Sequence, residues 1–209
     1  MTNQFIAVEG NIGSGKTSFS KLLSKELNCK LILEEFADNP FLPKFYNNPE
    51  RYAFSLELFF MAERYRQLGE VVTKDLFSTE IVSDYFFNKS KLFAQVNLRD
   101  DELRLFNMLS DIAFRNLPRP DLILYLHSDV SRLQHNISKR GRTFEQGISD
   151  DYLISIQDMY FDYFRKQSEF PVVLVDVSHY DFVTDKNVFN KITSLSKETY
   201  DIGFHKVSI

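Results

Sequence analysis

The residues with the clearest chemical meaning in this sequence form one run of eight, Gly-Asn-Ile-Gly-Ser-Gly-Lys-Thr. Their spacing matches the pattern G-x-x-x-x-G-K-[ST] of phosphate-binding loops. Glycines allow backbone N–H groups to approach phosphate oxygens, and the lysine can reach the outer phosphates as a point charge. The threonine offers a hydroxyl to Mg²⁺. We therefore predict binding of a nucleoside triphosphate and Mg²⁺ by Gly10, Asn11, Ile12, Gly13, Ser14, Gly15, Lys16 and Thr17.

The segments around this loop have the order that a phosphate-binding loop requires. Residues 4–8 form a short apolar run, which predicts a buried strand that ends at the loop. Residues 17–27 follow a helical pattern, with Phe19, Leu23 and Leu27 on one face. The positive end of that helix would add to the attraction for phosphate. A glycine turn without function is therefore the weaker interpretation.

The composition is that of an ordinary globular protein. The chain has 209 residues, of which 44% are hydrophobic and 26% charged, and these values suit one sizeable domain. The net charge of −4 argues against a general nucleic-acid surface, and no apolar run approaches the ~20 residues that span a membrane. Because there is one cysteine, Cys29, and no leader pattern, we expect a cytoplasmic protein.

Further along the chain, short apolar runs alternate with helical patterns. We predict further strands at residues 31–33, 79–83, 122–126 and 172–175, and a long helix over about 52–73. This alternation is typical of a parallel sheet with helices on both faces. It predicts an α/β fold, here a five-stranded parallel sheet, in a single domain over residues 1–209. The stretch after the fifth strand is predicted as one helix and a loose tail.

Acidic residues follow two of the predicted strands, at the sheet edge where ligands bind in such folds. Glu34 ends the second strand and could act as a general base on a hydroxyl that attacks the γ-phosphate. Its neighbour Glu35 remains an alternative, because the pattern does not show which side chain faces the cleft. Asp84 follows the third strand and could hold Mg²⁺ directly or through water, with a turn-forming role as the alternative.

A basic cluster, Lys-Arg-Gly-Arg, begins at residue 139 between two predicted helices, with Glu145 close behind it. Arginine forks bind phosphate oxygens in a bidentate manner, so Arg140 and Arg142 suit a mobile lid at about residues 139–147. A solvated basic loop is the alternative. Phe93 belongs to a group of aromatic residues between the second and fourth strands; some could stack on a flat base, although most are expected in the core.

Taken together, these motifs resemble those of the deoxynucleoside kinases, a branch of the P-loop kinases. The resemblance covers about residues 4–175, and it is greatest to the bacterial deoxyadenosine and deoxyguanosine kinase group. The motifs follow one another in the family's order: Glu9–Thr17 around the glycine loop, Glu34 with Asp38–Leu42, Phe45–Tyr46, Ser83–Asp84, and Arg140–Arg142 with Glu145–Gln146.

The resemblance implies a role for each matching residue. Glu34 would be the base for the 5′-hydroxyl of a deoxynucleoside, and Asp84 would belong to the Mg²⁺ site. Tyr46 and Glu145 would hold the sugar 3′-hydroxyl, and the two lid arginines would cover the phosphates. The family fold is a five-stranded parallel sheet with helices, and its members are commonly dimers, so a homodimer is expected.

Two positions depart from the family's pattern. Many members carry an arginine after the acidic residue of the third strand, where this chain has Tyr85; Lys89 is a candidate to replace its charge. The long helix usually offers a glutamine to the base, and here Glu57 falls at that position. An ionised glutamate only accepts hydrogen bonds, which suits the N–H groups of guanine or the adenine amino group. A solvated helix acid is the alternative, so base preference stays open.

The residues and the resemblance predict an enzyme that transfers the γ-phosphate of ATP to the 5′-hydroxyl of a deoxynucleoside. Deoxyadenosine or deoxyguanosine is the expected acceptor. A nucleoside monophosphate kinase similar to thymidylate kinase is the first rival, in which Arg51 or Arg64 would hold the acceptor phosphate. A nucleotide-binding switch without enzymatic activity is the second rival, and the intact loop and carboxylates argue against it.

Overall fold

The computed structural model describes residues 5–35, 39–74, 80–115 and 117–209, with the backbone alone for 71–74. The strands are β1 (Phe5–Glu9), β2 (Lys30–Ile32), β3 (Ile81–Ser83), β4 (Leu122–His127), β5 (Pro171–Asp176) and β6 (Gly203–Val207). The helices are α1 (Lys16–Leu27), α2 (Leu42–Asn47), α3 (Pro49–Lys74), α4 (Lys89–Asn97), α5 (Asp100–Phe114), α6 (Val130–Arg140), α7 (Asp150–Lys166) and α8 (Lys186–Leu195). Residues 4 and 79 of the predicted strands, and Asp38 of the quoted motif, lie outside the described residues.

The strands form one parallel sheet in the order β2-β3-β1-β4-β5-β6. The prediction of a parallel α/β sheet is confirmed, but the predicted five strands and the loose tail are wrong, because the sheet has six. The added strand β6 pairs with β5, and His205 lies opposite Val173. None of the β6 residues is fully buried, since this strand lies at an edge of the sheet. It therefore lacks the continuous apolar run by which buried parallel strands are recognised.

Side chains on the two faces of the sheet belong to two separate apolar cores, as the alternation along a strand requires. Ala7 and Tyr125 belong to one core, where Phe164 of α7 packs. Val8 belongs to the other core together with Phe19 of α1. Many of the 21 phenylalanines fill these cores, as expected from their number in the sequence. In the described part of the chain, no helix is long and apolar enough to cross a membrane.

The carboxyl ends of the three strands on one side of the sheet lie next to each other. Ser83 at the end of β3 pairs with Ala7 of β1 on one side and with Ile32 of β2 on the other. The chain leaves β1 into the glycine loop, β2 towards Glu34 and β3 towards Asp84. This register places the loop and both carboxylates at one edge of the sheet.

Candidate active site

The glycine loop is held in shape by the helices behind it. Gly13 has a φ of +84°, and a Cβ there would lie 2.7 Å from the carbonyl oxygen of Leu133 on α6, so only glycine fits. The Asn136 amide of α6 donates to the Gly13 carbonyl oxygen at 2.8 Å. The Asn11 amide donates to the Leu153 carbonyl oxygen of α7, also at 2.8 Å. These contacts with α6 and α7 fix the conformation of the loop.

Positive charge converges on this loop from the helix and from a lysine. Gly15 precedes α1 and has no side chain that could cap the helix, so the positive helix end is open to an anion. Lys16 is half-buried, and its burial and the Lys89 charge lower the pKa of Lys16 to about 8. The lysine is therefore mostly charged at neutral pH and available to phosphate oxygens.

Two clefts meet at the loop. One is bordered by the glycine loop, α6 and the segment after β5, and includes Arg132 and residues 180–184. The other is bordered by α2, α3, α4 and α7, and includes Glu34 and Glu57. Both clefts share four residues, namely Lys16, Thr17, Arg140 and Arg142. A phosphoryl group that passes from one cleft to the other would therefore pass three cations.

Thr17 and Asp84 provide oxygen atoms next to the phosphate loop. The Thr17 hydroxyl donates to Oδ2 of Asp84 at 2.5 Å, and the backbone N–H of Glu34 donates to Oδ1 at 2.7 Å. Mg²⁺ prefers such oxygen ligands and is commonly held by one or two carboxylates together with substrate phosphates. Among the described residues, no group of three or more His, Cys, Asp or Glu side chains could hold a metal ion. The donor set thus fits a metal that arrives with a nucleotide.

Glu34 is held between two buried cations. Its Oε1 accepts from Arg64 Nε at 2.9 Å, and its Oε2 accepts from Lys89 Nζ at 2.7 Å. Burial alone would raise the pKa of Glu34, but the charges of Lys89 and Arg64 hold that pKa well below its usual range. Glu35 is exposed and pairs with Arg66 at 3.0 Å. Of the two alternatives, Glu34 is the one that lines the cleft.

Tyr85 stands where the resemblance leads one to expect an arginine, and it lies in the core. Its hydroxyl donates to Gln67 Oε1 at 2.5 Å, and its ring centroid lies 5.9 Å from Arg64 Cζ. The positive charge beside Glu34 comes from Arg64 and Lys89. The position of Arg64 beside Glu34 was not predicted from the sequence. The sequence does contain an indication that Arg64 lies near Glu57. Arg64 follows Glu57 by two helical turns, on a side of α3 that is otherwise largely apolar.

Glu57 lies deep in the same cleft and is not a solvated helix acid. Its side chain is 1% exposed, and its Oε1 accepts from Asn97 Nδ2 at 2.7 Å. Burial raises the pKa of Glu57 to about 7. Phe93 also lines this cleft, and its ring centroid lies 5.6 Å from Lys89 Nζ. Asn97 was not predicted from the sequence, because its amide can be recognised as a partner of Glu57 only once α3 and α4 are packed.

The residues of the predicted lid converge on Glu145. Arg142 Nη1 pairs with Oε1 of Glu145 at 3.0 Å, and Arg140 pairs with its Oε2. The Glu145 side chain is buried, and a short 3₁₀ helix over Thr143–Glu145 carries it. The Tyr46 ring stacks on Phe144 with centroids 6.1 Å apart. Tyr46, Arg140, Arg142 and Glu145 all line the cleft that contains Glu34.

This arrangement defines a phosphotransferase of the P-loop class, with a nucleotide loop between two clefts and a buried carboxylate in one of them. The comparisons with known proteins narrow that class. The family model described as Deoxynucleoside kinase matches residues 6–200. This chain belongs to the deoxynucleoside kinase family.

Relatives of this chain span nearly its whole length. The deoxyguanosine kinase of Bacillus subtilis (strain 168) is 35% identical over 204 residues, which is 94% of this chain and 98% of that protein. The deoxyadenosine kinase of Lactobacillus acidophilus is 27% identical over 215 residues, which is 96% of this chain and 98% of that protein. A structure of deoxyadenosine kinase from M. mycoides with bound dATP superimposes with a TM-score of 0.78, covering 90% of this chain and 98% of that one. At 21% identity, that likeness supports the fold alone.

Proposed function

We propose that this kinase transfers the γ-phosphate of ATP to the 5′-hydroxyl of a purine deoxynucleoside in the cytoplasm. The observation that carries the proposal is the position of Glu34, which lines the same cleft as Lys16 and Thr17 of the phosphate loop. A hydroxyl bound to Glu34 would face the phosphate held by the loop. Relatives named as deoxyguanosine and deoxyadenosine kinases support a purine acceptor.

The triphosphate would bind through the glycine loop, the helix end of α1 and Lys16. Arg140 and Arg142 border both clefts, so they can contact the γ-phosphate as it moves between them. Thr17 and Asp84 would hold Mg²⁺ bound to the nucleotide. The metal would supply charge that offsets the negative phosphate oxygens. Preorganised cations of this kind stabilise the charge that spreads over the transferring group.

Glu34 would orient the 5′-hydroxyl through a hydrogen bond that the hydroxyl donates. The oxygen then forms a bond to the γ-phosphorus while the bond between that phosphorus and the bridging oxygen of ADP breaks. Because the pKa of Glu34 is held low by Lys89 and Arg64, the carboxylate is a weak base. It therefore accepts the proton late, when the new oxygen–phosphorus bond has made the hydroxyl strongly acidic. Transition states of this reaction are generally loose, which fits late proton transfer.

The sugar and base would occupy the remainder of the cleft. Tyr46 and Glu145 lie on the lid side, where they could hold the 3′-hydroxyl. Phe93 and Glu57 lie on the side of α3 and α4, where a planar base would contact an aromatic ring and a carboxyl group. The lid arginines pair with Glu145, so the same contacts would link the sugar to the phosphates.

Arg51 and Arg64, the arginines that could hold the phosphate of a monophosphate acceptor, make other contacts. Arg64 donates to Glu34 and, through Nη1, to the Ser90 hydroxyl at 2.6 Å. Arg51 is exposed, with its Cζ 5.5 Å from the ring centroid of Tyr52. An acceptor that already carries a phosphate would bring a dianion next to the Glu34 carboxylate, which electrostatics disfavours.

The test is phosphate transfer from ATP and Mg²⁺ to deoxyadenosine, deoxyguanosine, deoxycytidine and thymidine, with their 5′-monophosphates alongside. We expect transfer to one or both purine deoxynucleosides and none to the monophosphates. Transfer to the monophosphates alone would overturn the role of Glu34. ATP binding without transfer to any acceptor would overturn the enzymatic proposal.

We further propose that the chain forms a homodimer through helix α5. Leu105, Met108 and Ile112 recur at spacings of three and four on this helix, and they are 46%, 60% and 68% exposed. Exposed apolar stripes of this kind commonly mark interfaces, and a two-fold axis would place the stripe against its own copy. Met108→Glu should convert a dimer to a monomer in light scattering, whereas Ile202→Glu, at another exposed apolar residue, should not. A wild-type monomer at micromolar concentration would refute the proposal.

A further inference from the structure

A buried carboxylate oxygen in the acceptor cleft has no partner in the described part of the chain. Glu57 is 1% exposed, and while Oε1 accepts from Asn97, Oε2 lies buried without a hydrogen bond. Leaving a buried polar atom unpaired is costly, so such atoms in native proteins call for an explanation. Glu57 lines the cleft, and a bound ligand can therefore supply the missing partner.

Glu57 is the end of a hydrogen-bonded chain across three helices. The Tyr152 hydroxyl of α7 donates to Asn97 Oδ1 at 3.0 Å, and Asn97 Nδ2 at the end of α4 donates to Glu57 Oε1 of α3 at 2.7 Å. We call these three residues the Glu57 chain. Because the Asn97 amide oxygen is occupied by Tyr152, its N–H₂ group faces Glu57. An N–H donor at this position stabilises the ionised carboxylate.

We infer that the Glu57 chain selects guanine over adenine by presenting Glu57 as a hydrogen-bond acceptor, and that neutralising Glu57 shifts the preference to adenine. This inference rests on the proposed function, because it concerns the base of the acceptor nucleoside. Asn97 and Tyr152 act here as positioning residues, and Glu57 is the group that contacts the base.

The chemistry of the two bases explains the selection. The Watson–Crick edge of guanine offers N–H donors at N1 and N2, and an ionised carboxylate only accepts, so the two match. Adenine offers an amino donor beside an N1 acceptor. An ionised carboxylate leaves that N1 unpaired and repels its lone pair, whereas a neutral carboxyl group donates to N1 and accepts from the amino group. Sites built on hydrogen bonds reject a mismatched partner strongly, because a buried polar group is left unpaired.

Glu57 changes its charge within the pH range of ordinary assays. Burial raises its pKa to about 7, against the lowering effects of the Asn97 hydrogen bond, Arg64 and Lys89. Glu34 also acts on it and raises the pKa, and the hydroxyls of Tyr46 and Tyr152 lie near enough to interact with it. The ratio of ionised to neutral Glu57 then changes by about a hundredfold between pH 6 and pH 8.

The experiment is a competition between deoxyguanosine and deoxyadenosine at equal concentrations, with ATP and Mg²⁺, from pH 6 to pH 8. The product ratio equals the ratio of the two kcat/KM values, so effects of pH on ATP binding or on Glu34 cancel. For the wild type, we expect the ratio of phosphorylated deoxyguanosine to phosphorylated deoxyadenosine to rise by about tenfold or more over this range. In Glu57→Gln the ratio should be lower at pH 8 and independent of pH, because an amide both donates and accepts.

Tyr152→Phe separates positioning from mere structural support. Loss of the hydroxyl frees the Asn97 amide to turn away from Glu57, so the ionised form loses a donor. The midpoint of the pH dependence should then move to higher pH, whereas general damage to the cleft would lower both rates and leave the midpoint unchanged. Glu63→Gln, the same substitution as Glu57→Gln on an outer part of α3, should reproduce the wild-type curve.

The inference is overturned if the wild-type ratio does not depend on pH, or if Glu57→Gln keeps the wild-type ratio and its pH dependence. An unchanged midpoint in Tyr152→Phe would remove Tyr152 from the positioning role. Absence of any phosphorylated nucleoside with wild-type protein is a different result, since it refutes the proposed function itself. Circular dichroism of each variant at pH 6 and pH 8 identifies any variant that fails to fold. If Glu57→Gln fails to fold, Glu57→Ser, which removes the carboxyl group and adds no amide, provides the second test of pH independence.

Discussion

Glu34→Gln separates catalysis from binding, because it keeps the shape of the side chain and removes its charge. In the proposed reaction the 5′-hydroxyl loses its oriented acceptor and the proton loses its destination. Removal of a general base typically costs about 10²–10⁴-fold in rate. We expect a loss of this size in kcat. ATP binding should persist, because the glycine loop and the two lid arginines are unchanged.

The same substitution should also lower stability, because it leaves two cations with less compensation. Arg64 and Lys89 each have a side chain that is 4% exposed, and both donate to the Glu34 carboxylate. Removing one partner of a buried ion pair costs about 3–5 kcal/mol. Glu34 itself is 15% exposed, so water offsets part of this cost and we expect about 2–3 kcal/mol. For a chain of this size, that corresponds to a fall in Tm of roughly 5–10 °C.

The assay is ADP release with a purine deoxynucleoside at saturating ATP, together with thermal unfolding with and without ATP. Glu35→Gln is the matched control, because Glu35 is exposed and pairs with Arg66 outside the cleft. Combining Glu34→Gln with Lys89→Gln should recover part of the lost Tm but none of the lost rate. Turnover of Glu34→Gln within threefold of wild type would refute the catalytic reasoning. An unchanged Tm would refute the electrostatic reasoning.

The remaining predictions concern pH and packing. Lys16 has its pKa lowered to about 8, so the affinity of the free enzyme for ATP should fall as pH rises above 8, which titration calorimetry at pH 7 and pH 9 can measure. The pKa of Glu57 is raised from 4.5 to about 7, so the folded state binds a proton that the unfolded state has lost, and the stability of the wild type falls as pH rises through this window. The Tm of Glu57→Gln relative to wild type should therefore increase between pH 5 and pH 8, by the equivalent of about 3 kcal/mol at most, and an equal difference at both pH values would contradict this. Phe19 is fully buried against Phe182 and Phe189, so Phe19→Ala should lower the free energy of unfolding by about 3–5 kcal/mol in urea denaturation, whereas a loss below 1 kcal/mol would show that this core collapses around the change.

The local features of the site could be predicted from the sequence. The glycine loop is a contiguous motif whose conformation depends on residues next to each other, such as Gly13 with its positive φ. Glu34 and Asp84 follow short apolar strands, and the parallel arrangement of those strands brings them to one edge. The positions of these groups in the fold could be predicted because strand alternation, helix periodicity and loop motifs are properties of neighbouring residues.

The tertiary structure decided which side chains contact one another. The sequence left Glu34 and Glu35 as alternatives; packing against α3 and α4 turned one towards Arg64 and Lys89 and left the other in solvent. The hydrogen bond between Glu57 and Asn97 joins residues 40 positions apart, and no periodicity along the sequence indicates it. The edge strand β6 was missed for a related reason, since its pairing with β5 is stabilised by backbone hydrogen bonds that its mixed side chains do not reveal. The sequence by itself therefore determined the phosphate loop and the layered α/β fold, whereas the charge states and partners of the buried acids depend on contacts that form only when distant helices pack.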